Sequence, residues 1–192
     1  MRKTWCVFVL MMMAALCSCS GLSLTDPADK VSERFLGVST ISTETMLDIN
    51  HGDTVSQYQL SVGRSRGGDA LFTVLAPEEI SGVAIVLGSD SMELKYQGVV
   101  LETGFPVGAH TPPLKIVARL LDCFERRVTL GAGEYKQNGQ ALYKILYDDS
   151  FDSTDYTYEI CYDAESLDPI SSNIYVNGTC VITVSFNSFT AE

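Results

Sequence analysis

The chain has 192 residues, with 13 Lys or Arg against 24 Asp or Glu and a formal charge of −11. That excess of acid rules against nucleic acid as a partner, because phosphate neutralisation needs clustered Lys and Arg. It also rules against a body held flat on anionic lipid by charge alone. The length suits one domain with a proper core.

In chain order, Arg2 and Lys3 come first, followed by an apolar run from Trp5 to Leu16 broken only by Cys6. This is the layout of a secretory signal, and at about 18 residues it is too short for a stable membrane span. Leu16-Cys17-Ser18-Cys19 closes the segment and resembles the lipobox of bacterial lipoproteins, in which a diacylglycerol is attached to the cysteine and the peptide is cut just before it. On that resemblance Cys19 is the lipidated residue, with Ser18 at the cleavage position. Cys17 fits poorly, because it would put the bulky Leu16 there. The plainer alternative is a cleaved signal with incidental cysteines. More than one acyl chain makes attachment stable. The expected organisation is therefore a signal over 1–18, a tether over 19–25 and a single domain over 26–192, held at the outer face of the cell membrane. Losing Arg2 and Lys3 takes the formal charge to about −13.

Asp26-Pro27 reads as a helix start, Asp as N-cap and Pro at the first helical position. Ala28, Val31 and Phe35 follow at helical spacing, and Gly37 is the stop. From Thr43 the period changes to two: Thr45, Leu47 and Ile49 alternate with Met46 and Asp48, and His51-Gly52-Asp53 turns the chain. Tyr58, Leu60 and Val62 form the inward set of the next strand. Gly67-Gly68-Asp69 leads into Leu71 to Leu75, ended by Ala76-Pro77. Val83 to Leu87 is apolar on both alternations. Met92, Leu94 and Tyr96 alternate with Glu93 and Lys95, then Gln97-Gly98 turns into Val99 to Leu101. Strands at this spacing predict an antiparallel meander rather than parallel βαβ units.

A second helix interrupts the meander, capped by Thr111 and opened by Pro112 and Pro113. Leu114, Val117, Leu121 and Phe124 form its apolar stripe, with Lys115, Arg119, Asp122 and Arg126 opposite, so it should cover a sheet. Strands resume over Arg127 to Tyr135, Ala141 to Tyr147, Tyr156 to Tyr162, Ile170 to Val176 and Thr179 to Phe186. Asn138-Gly139 and Asn177-Gly178 are strong hairpin signals between alternating runs.

Chemistry is sought and mostly not found. Gly63-Arg64-Ser65-Arg66-Gly67 matches G-x-S-x-G, but a nucleophile elbow needs a helix after the serine, and another strand follows here. His51 and His110 fall in loops without a matching acid. The acidic run Asp148 to Asp155 has oxygen ligands at calcium-loop spacing, with Glu159 at the twelfth position, yet Ser153 stands where that loop needs glycine and strands flank it. A solvated acidic hairpin loop is the better reading, and no metal site is expected. Of the cysteines beyond Cys19, Cys123, Cys161 and Cys180 are an odd number without paired spacing, which predicts free, buried thiols. Cys161 shares the polar alternation of Thr157 and Glu159, and Cys180 the apolar alternation of Ile182 and Val184, so the two should point to opposite faces. No cofactor and no enzymatic activity are expected.

The order of parts resembles the LolA/LolB-like fold of lipoprotein-handling proteins: an N-terminal helix, about ten strands and an inserted helix. The stretch Phe72 to Pro77, then Ile80-Ser81-Gly82, then Leu94 to Gly98 carries the resemblance, together with Leu167-Asp168-Pro169 and Ile174 to Gly178. It covers residues 26–189 or so and is similar above all to the lipid-anchored members of spore-forming Gram-positive bacteria, germination lipoproteins among them. The resemblance implies an α+β fold: a curved antiparallel sheet, or half β-barrel, of about ten to eleven strands covered by a small number of helices. It implies an apolar hollow that takes an acyl chain, lipid or lipoprotein, roofed by a helical lid that must move for release. The residues placed in that role are Val83, Ile85, Leu87, Met92, Leu94, Ile182 and Val184 for the hollow and Leu114, Val117, Leu121 and Phe124 for the lid, although any core would need the same pattern. A soluble shuttle should not be anchored, so capture at one membrane fits better. The alternative role is that of an adaptor for a cell-wall amidase in spore formation or germination.

Overall fold

The computed structural model describes residues 26–89, 91–103 and 112–192. The expected signal, lipidation site and tether, along with Thr111 and His110, lie outside them. Helix α1 spans Pro27–Phe35, where the Asp26 carboxylate accepts from the Ala28 amide at 2.9 Å and Pro27 opens the first turn. Its buried face is Ala28, Val31, Ser32 and Phe35, and Gly37 follows at φ +91°, a conformation that suits glycine.

Strands β1 (Thr40–Asn50), β2 (Val55–Ser65), β3 (Ala70–Ala76), β4 (Ala84–Leu87), β5 (Met92–Tyr96) and β6 (Val99–Thr103) form an antiparallel meander. A short 3-10 turn, Glu78–Ile80, links β3 to β4. Helix α2 (Pro113–Cys123) comes next, then a second meander of β7 (Gly131–Gln137), β8 (Gln140–Phe151), β9 (Thr154–Asp163), β10 (Pro169–Val176) and β11 (Thr179–Ala191). The two halves join where β11 pairs with β1, which makes one sheet of eleven strands in the order β6-β5-β4-β3-β2-β1-β11-β10-β9-β8-β7. Its outermost strands, β6 and β7, do not pair with each other, so the sheet is an open half-barrel. Register shifts interrupt the ladders at Glu44/Thr45, Gln59/Leu60, Ile174/Tyr175 and Pro169/Ser171. Such bulges add local bend and twist.

Four hairpins turn through residue pairs with both φ positive: Gln97-Gly98, Asn138-Gly139, Asp152-Ser153 and Asn177-Gly178. That twist matches the twist of the flanking strands. The core lies on the concave face, where both helices pack. Phe124, at the end of α2, sits at the centre of an aromatic cluster, with ring centroids 5.1 Å from Phe35, 5.7 Å from Phe189 and 6.1 Å from both Phe186 and Tyr162. These contacts bind α1, α2, β9 and β11 together. Such pairs contribute about 0.5–1.5 kcal/mol each beyond area burial.

Two expectations are corrected here. Asp148 to Asp155 is not a loop: β8 and β9 continue through it with Ser150 opposite Asp155, and only Asp152-Ser153, at φ +52° and +61°, turns. Alternating strand geometry sends Asp148 and Asp149 to opposite faces, so the run cannot close around one ion, and no metal-binding group occurs among the described residues. Cys161 and Cys180 also share a face. The shift at Ile174/Tyr175 leaves Cys180 opposite Tyr175, and its Sγ lies 3.8 Å from the Thr183 hydroxyl on the convex side. Cys161 is on the same side, accepting from the Tyr135 hydroxyl at 3.2 Å. All three thiols are free, but only Cys123 is buried; the other two are half-buried.

Candidate functional site: an apolar cavity under α2

The concave face can be followed row by row across the strands. Leu47 of β1 faces Tyr58 of β2; Leu60 faces Val74 of β3; Val62, Phe72, Ile85 and Leu94 align across β2 to β5. Opposite Leu47, the row continues through Val184 and Ser172 to Ile160 and Ile145, all buried. On that β8–β11 side the helices fill the hollow. On the β1–β5 side they leave a cavity of about 430 Å³, lined by Leu47, Ile49, Tyr58, Leu60, Val74, Ile80, Val83, Ile85, Leu94, Tyr96, Pro113 and Leu114.

Four of the eleven residues singled out from the sequence line this cavity: Val83, Ile85, Leu94 and Leu114. Val117, Leu121 and Phe124 are buried between α2 and the sheet, and Ile182 and Val184 are buried in the floor on the filled side. Leu87 is buried and Met92 packs partly buried against the core, one row beyond the cavity. Sequence reasoning missed Leu47, Ile49, Tyr58, Leu60, Val74, Ile80, Tyr96 and Pro113 as cavity wall. Their signal was present as inward alternation along β1 and β2, and Ile80 stood in the Ile80-Ser81-Gly82 stretch.

The roof is fastened by charge on both flanks. Arg64 of β2 donates from Nη1 to the Ala118 carbonyl at 2.7 Å and pairs with Asp122, while Arg66 pairs with Glu125 at 3.1 Å. On the other flank Lys115 pairs with Asp152 at 2.9 Å, and Arg119 and Arg126 approach Asp149 at 3.8 and 3.2 Å. The polar face of α2 therefore reaches both rims of the sheet. Arg119 also lies over the Phe151 ring at 4.9 Å, and Phe151 stacks on Tyr156 at 4.3 Å. Beneath the roof, burial pushes the Cys123 thiol and the Tyr147 phenol each up to about 12 and raises Tyr162 well above the usual phenol range, so all three stay neutral. Arg64 and Arg66, the variable residues of the G-x-S-x-G match, serve to hold the helix, and the match sits at the end of β2 and its turn.

No protein-family model and no curated protein matches the chain. Solved structures do. An uncharacterized conserved protein from Thermus thermophilus is similar at 8% identity and a TM-score of 0.50, over 86% of this chain and 87% of that one. A LolA superfamily protein from Nitrosomonas europaea is similar at 9% identity and TM-score 0.43, over 86% and 92%. A chain in the structure of the CwlD amidase from Clostridioides difficile in complex with the GerS lipoprotein is similar at 11% identity and TM-score 0.39, over 85% and 92%. At 8% identity and a TM-score of 0.50, the likeness to the Thermus thermophilus protein is one of fold. Among the described residues the architecture is the open half-barrel expected from the sequence: one open antiparallel sheet of eleven strands with two helices on its concave side.

Proposed function

We propose that the protein is a membrane-anchored, non-enzymatic binding lipoprotein whose half-barrel holds an acyl chain, free or as part of a lipid or lipoprotein, in the cavity between β1–β5 and α2. The observation that carries this reading is the cavity itself. Its roughly 430 Å³ lies within the ~300–1,000 Å³ common for small-molecule sites, and aliphatic and aromatic side chains wall it. Each methylene moved from water into such a space contributes about 0.8 kcal/mol, so a chain of about eight gains on the order of 6 kcal/mol before immobilisation costs. α2 is fastened by its buried apolar face as well as by ion pairs and one hydrogen bond on its rims, so entry and release would require its Pro113–Leu114 end, beside the cavity, to lift.

Lipidation at Cys19 would set this cavity close to a bilayer. The seven tether residues from Cys19 to Thr25 reach at most about 25 Å when extended. Capture of a chain from the membrane that holds the protein follows from that short leash. Two measurements test the reading. Radiolabelled palmitate should enter the wild-type chain in a bacterial host and not Cys19→Ala. Titration of the Cys19→Ala chain with a fluorescent fatty acid should give saturable binding that Leu94→Asp abolishes. Saturation insensitive to Leu94→Asp would place the probe elsewhere. Recovery of a cell-wall amidase with a chain that binds no probe would favour the adaptor role instead.

A further inference from the structure

Along the strands, the apolar floor gains a charged residue at its β2 position. One row beyond Val62, Phe72, Ile85 and Leu94 come Arg64, Ala70, Leu87 and Met92, a step of about 7 Å along the strand. At that row a second cavity opens, about 400 Å³, between the β2–β3 turn, the end of β4 and α2. Its lining contains Arg64, Lys115 and Arg119 on one side and Gly67, Gly68, Asp69 and Gly88 on the other, with Asp122 beside Arg64. The two cavities thus lie end to end under the same helix: Leu114 faces the first, and Lys115, Ala118 and Arg119 face the second.

The charge in this second cavity is unusual for so acidic a chain. Of the 11 basic residues that follow Arg2 and Lys3, three line this cavity, with Lys115 paired to Asp152 at 2.9 Å on the sheet rim. Of the two carboxylates in the lining, Asp69 is turned toward the β4–β5 turn. A methyl group built on Gly88 would come within 3.2 Å of its Oδ1 and 2.9 Å of the Ser91 hydroxyl, so that corner already belongs to Asp69 and Ser91. Asp122 is engaged by Arg64. Arg119 meets its own carboxylate, Asp149, only at 3.8 Å, and a guanidinium carries five donors. Arg64 reaches Asp122 through Nη2 and Ala118 through Nη1, which likewise leaves donors over.

On the reading that the apolar cavity holds an acyl chain, we infer that the ligand is an anionic amphiphile whose carboxylate or phosphate head sits in this second cavity against Arg119 and Arg64, one strand row from its tail. The arrangement gives the cavity pair a direction, tail toward Ile49 and Tyr58, head toward Gly67. Guanidinium groups are well suited to planar or tetrahedral oxyanions, and charge-assisted hydrogen bonds there are stronger than neutral ones.

The test compares four probes on the full chain carrying Cys19→Ala, below their micelle concentrations: laurate, dodecyl phosphate, dodecylphosphocholine and glycerol monolaurate. Each has a twelve-carbon chain, counting the carboxyl carbon of the two laurates, so laurate is compared with glycerol monolaurate and dodecyl phosphate with dodecylphosphocholine. Laurate and dodecyl phosphate should bind about tenfold more tightly than the zwitterionic and neutral probes. Arg119→Gln and the double substitution Arg119→Gln with Lys115→Gln should each shrink that ratio several-fold, with thermal unfolding checking that the variants are folded. Inorganic phosphate alone should not compete with dodecyl phosphate. Equal affinity for all four probes, or a ratio untouched by the substitutions, would overturn the head-group assignment while leaving chain binding intact. Competition by inorganic phosphate at the affinity of dodecyl phosphate would make the second cavity an independent anion site and also overturn it. Binding of none of the four would instead remove the underlying reading.

Discussion

The Nη1 of Arg64 donates to the backbone carbonyl of Ala118 at 2.7 Å, so a strand residue from the open meander is bonded directly to the spine of the roofing helix. The same side chain pairs with Asp122 one turn on and is 19% exposed. This is the main polar link between α2 and β2. Arg64→Met keeps the stem's packing and removes both links. It is expected to cost about 1.5–3 kcal/mol, the usual range for hydrogen bonds to a charged group. The loss should be local: hydrogen exchange of α2 amides should speed up more than that of β8–β11. Uniform acceleration across the sheet would mean that Arg64 holds the whole fold rather than the roof.

Cavity wall and core filler should respond differently to truncation. Leu60 is 2% exposed and lines the cavity at its floor, so Leu60→Ala should destabilise the protein by about 2–4 kcal/mol in urea unfolding. Leu94, half-buried on the short strand β5, should cost less than about 1.5 kcal/mol as Leu94→Ala. A larger loss at Leu94 than at Leu60 would mean that the β4–β6 end is packed tightly.

The thiols give a direct reading of the β10–β11 bulge. Cys180 and Cys161 both face the convex side and are half-buried, whereas Cys123 is buried under α2. In the chain with Cys19→Ala, an aromatic disulfide reagent should modify Cys161 and Cys180 in the native state, and Cys123 only in denaturant. Protection of Cys180 equal to that of Cys123 would place it on the concave face and remove the bulge.

Alkaline pH should weaken the fold. Cys123 is pushed from 9.0 up to about 12, and Tyr147 from 10.0 up to about 12, in both cases chiefly by burial. The folded state therefore keeps protons that the unfolded chain releases. Their contribution is fully present below pH 9, falls as pH rises, and is gone above about 12. Each group weakens stability by up to about 1.4 kcal/mol per pH unit within its window. Urea midpoints should drop between pH 9 and 11, and Cys123→Ala should make that drop shallower. A flat profile over this range would contradict the burial of Cys123 and Tyr147.

Much of the fold is legible because its signals are local. Asn138-Gly139, Asn177-Gly178 and Gln97-Gly98 carry the backbone freedom their turns use, and the alternations around Leu60, Leu94 and Ile182 mark inward faces. The fourth turn of this kind, Asp152-Ser153, contains no glycine, so β8 and β9 read as ending early and their acidic tips as a loop. The bulge at Ile174/Tyr175 changes the parity of β11 by one residue, which no alternation of Cys180 with Ile182 can reveal. The site was harder. Leu94 and Val184 look alike in sequence because a cavity wall and a packed floor both need apolar side chains facing inward. What separates them is whether a helix lies opposite: the aromatic cluster around Phe124 fills the space near β11, while α2 begins only at Pro113, beside the gap over β2–β5.

The most direct test of a hydrophobic ligand in the half-barrel is native mass spectrometry of the Cys19→Ala chain taken straight from cells, beside the same chain with Leu94→Asp. The account predicts added mass in the first sample that dissociates as an acyl-bearing molecule, and its loss in the second. A bare polypeptide mass in both, from protein that is folded, would contradict it.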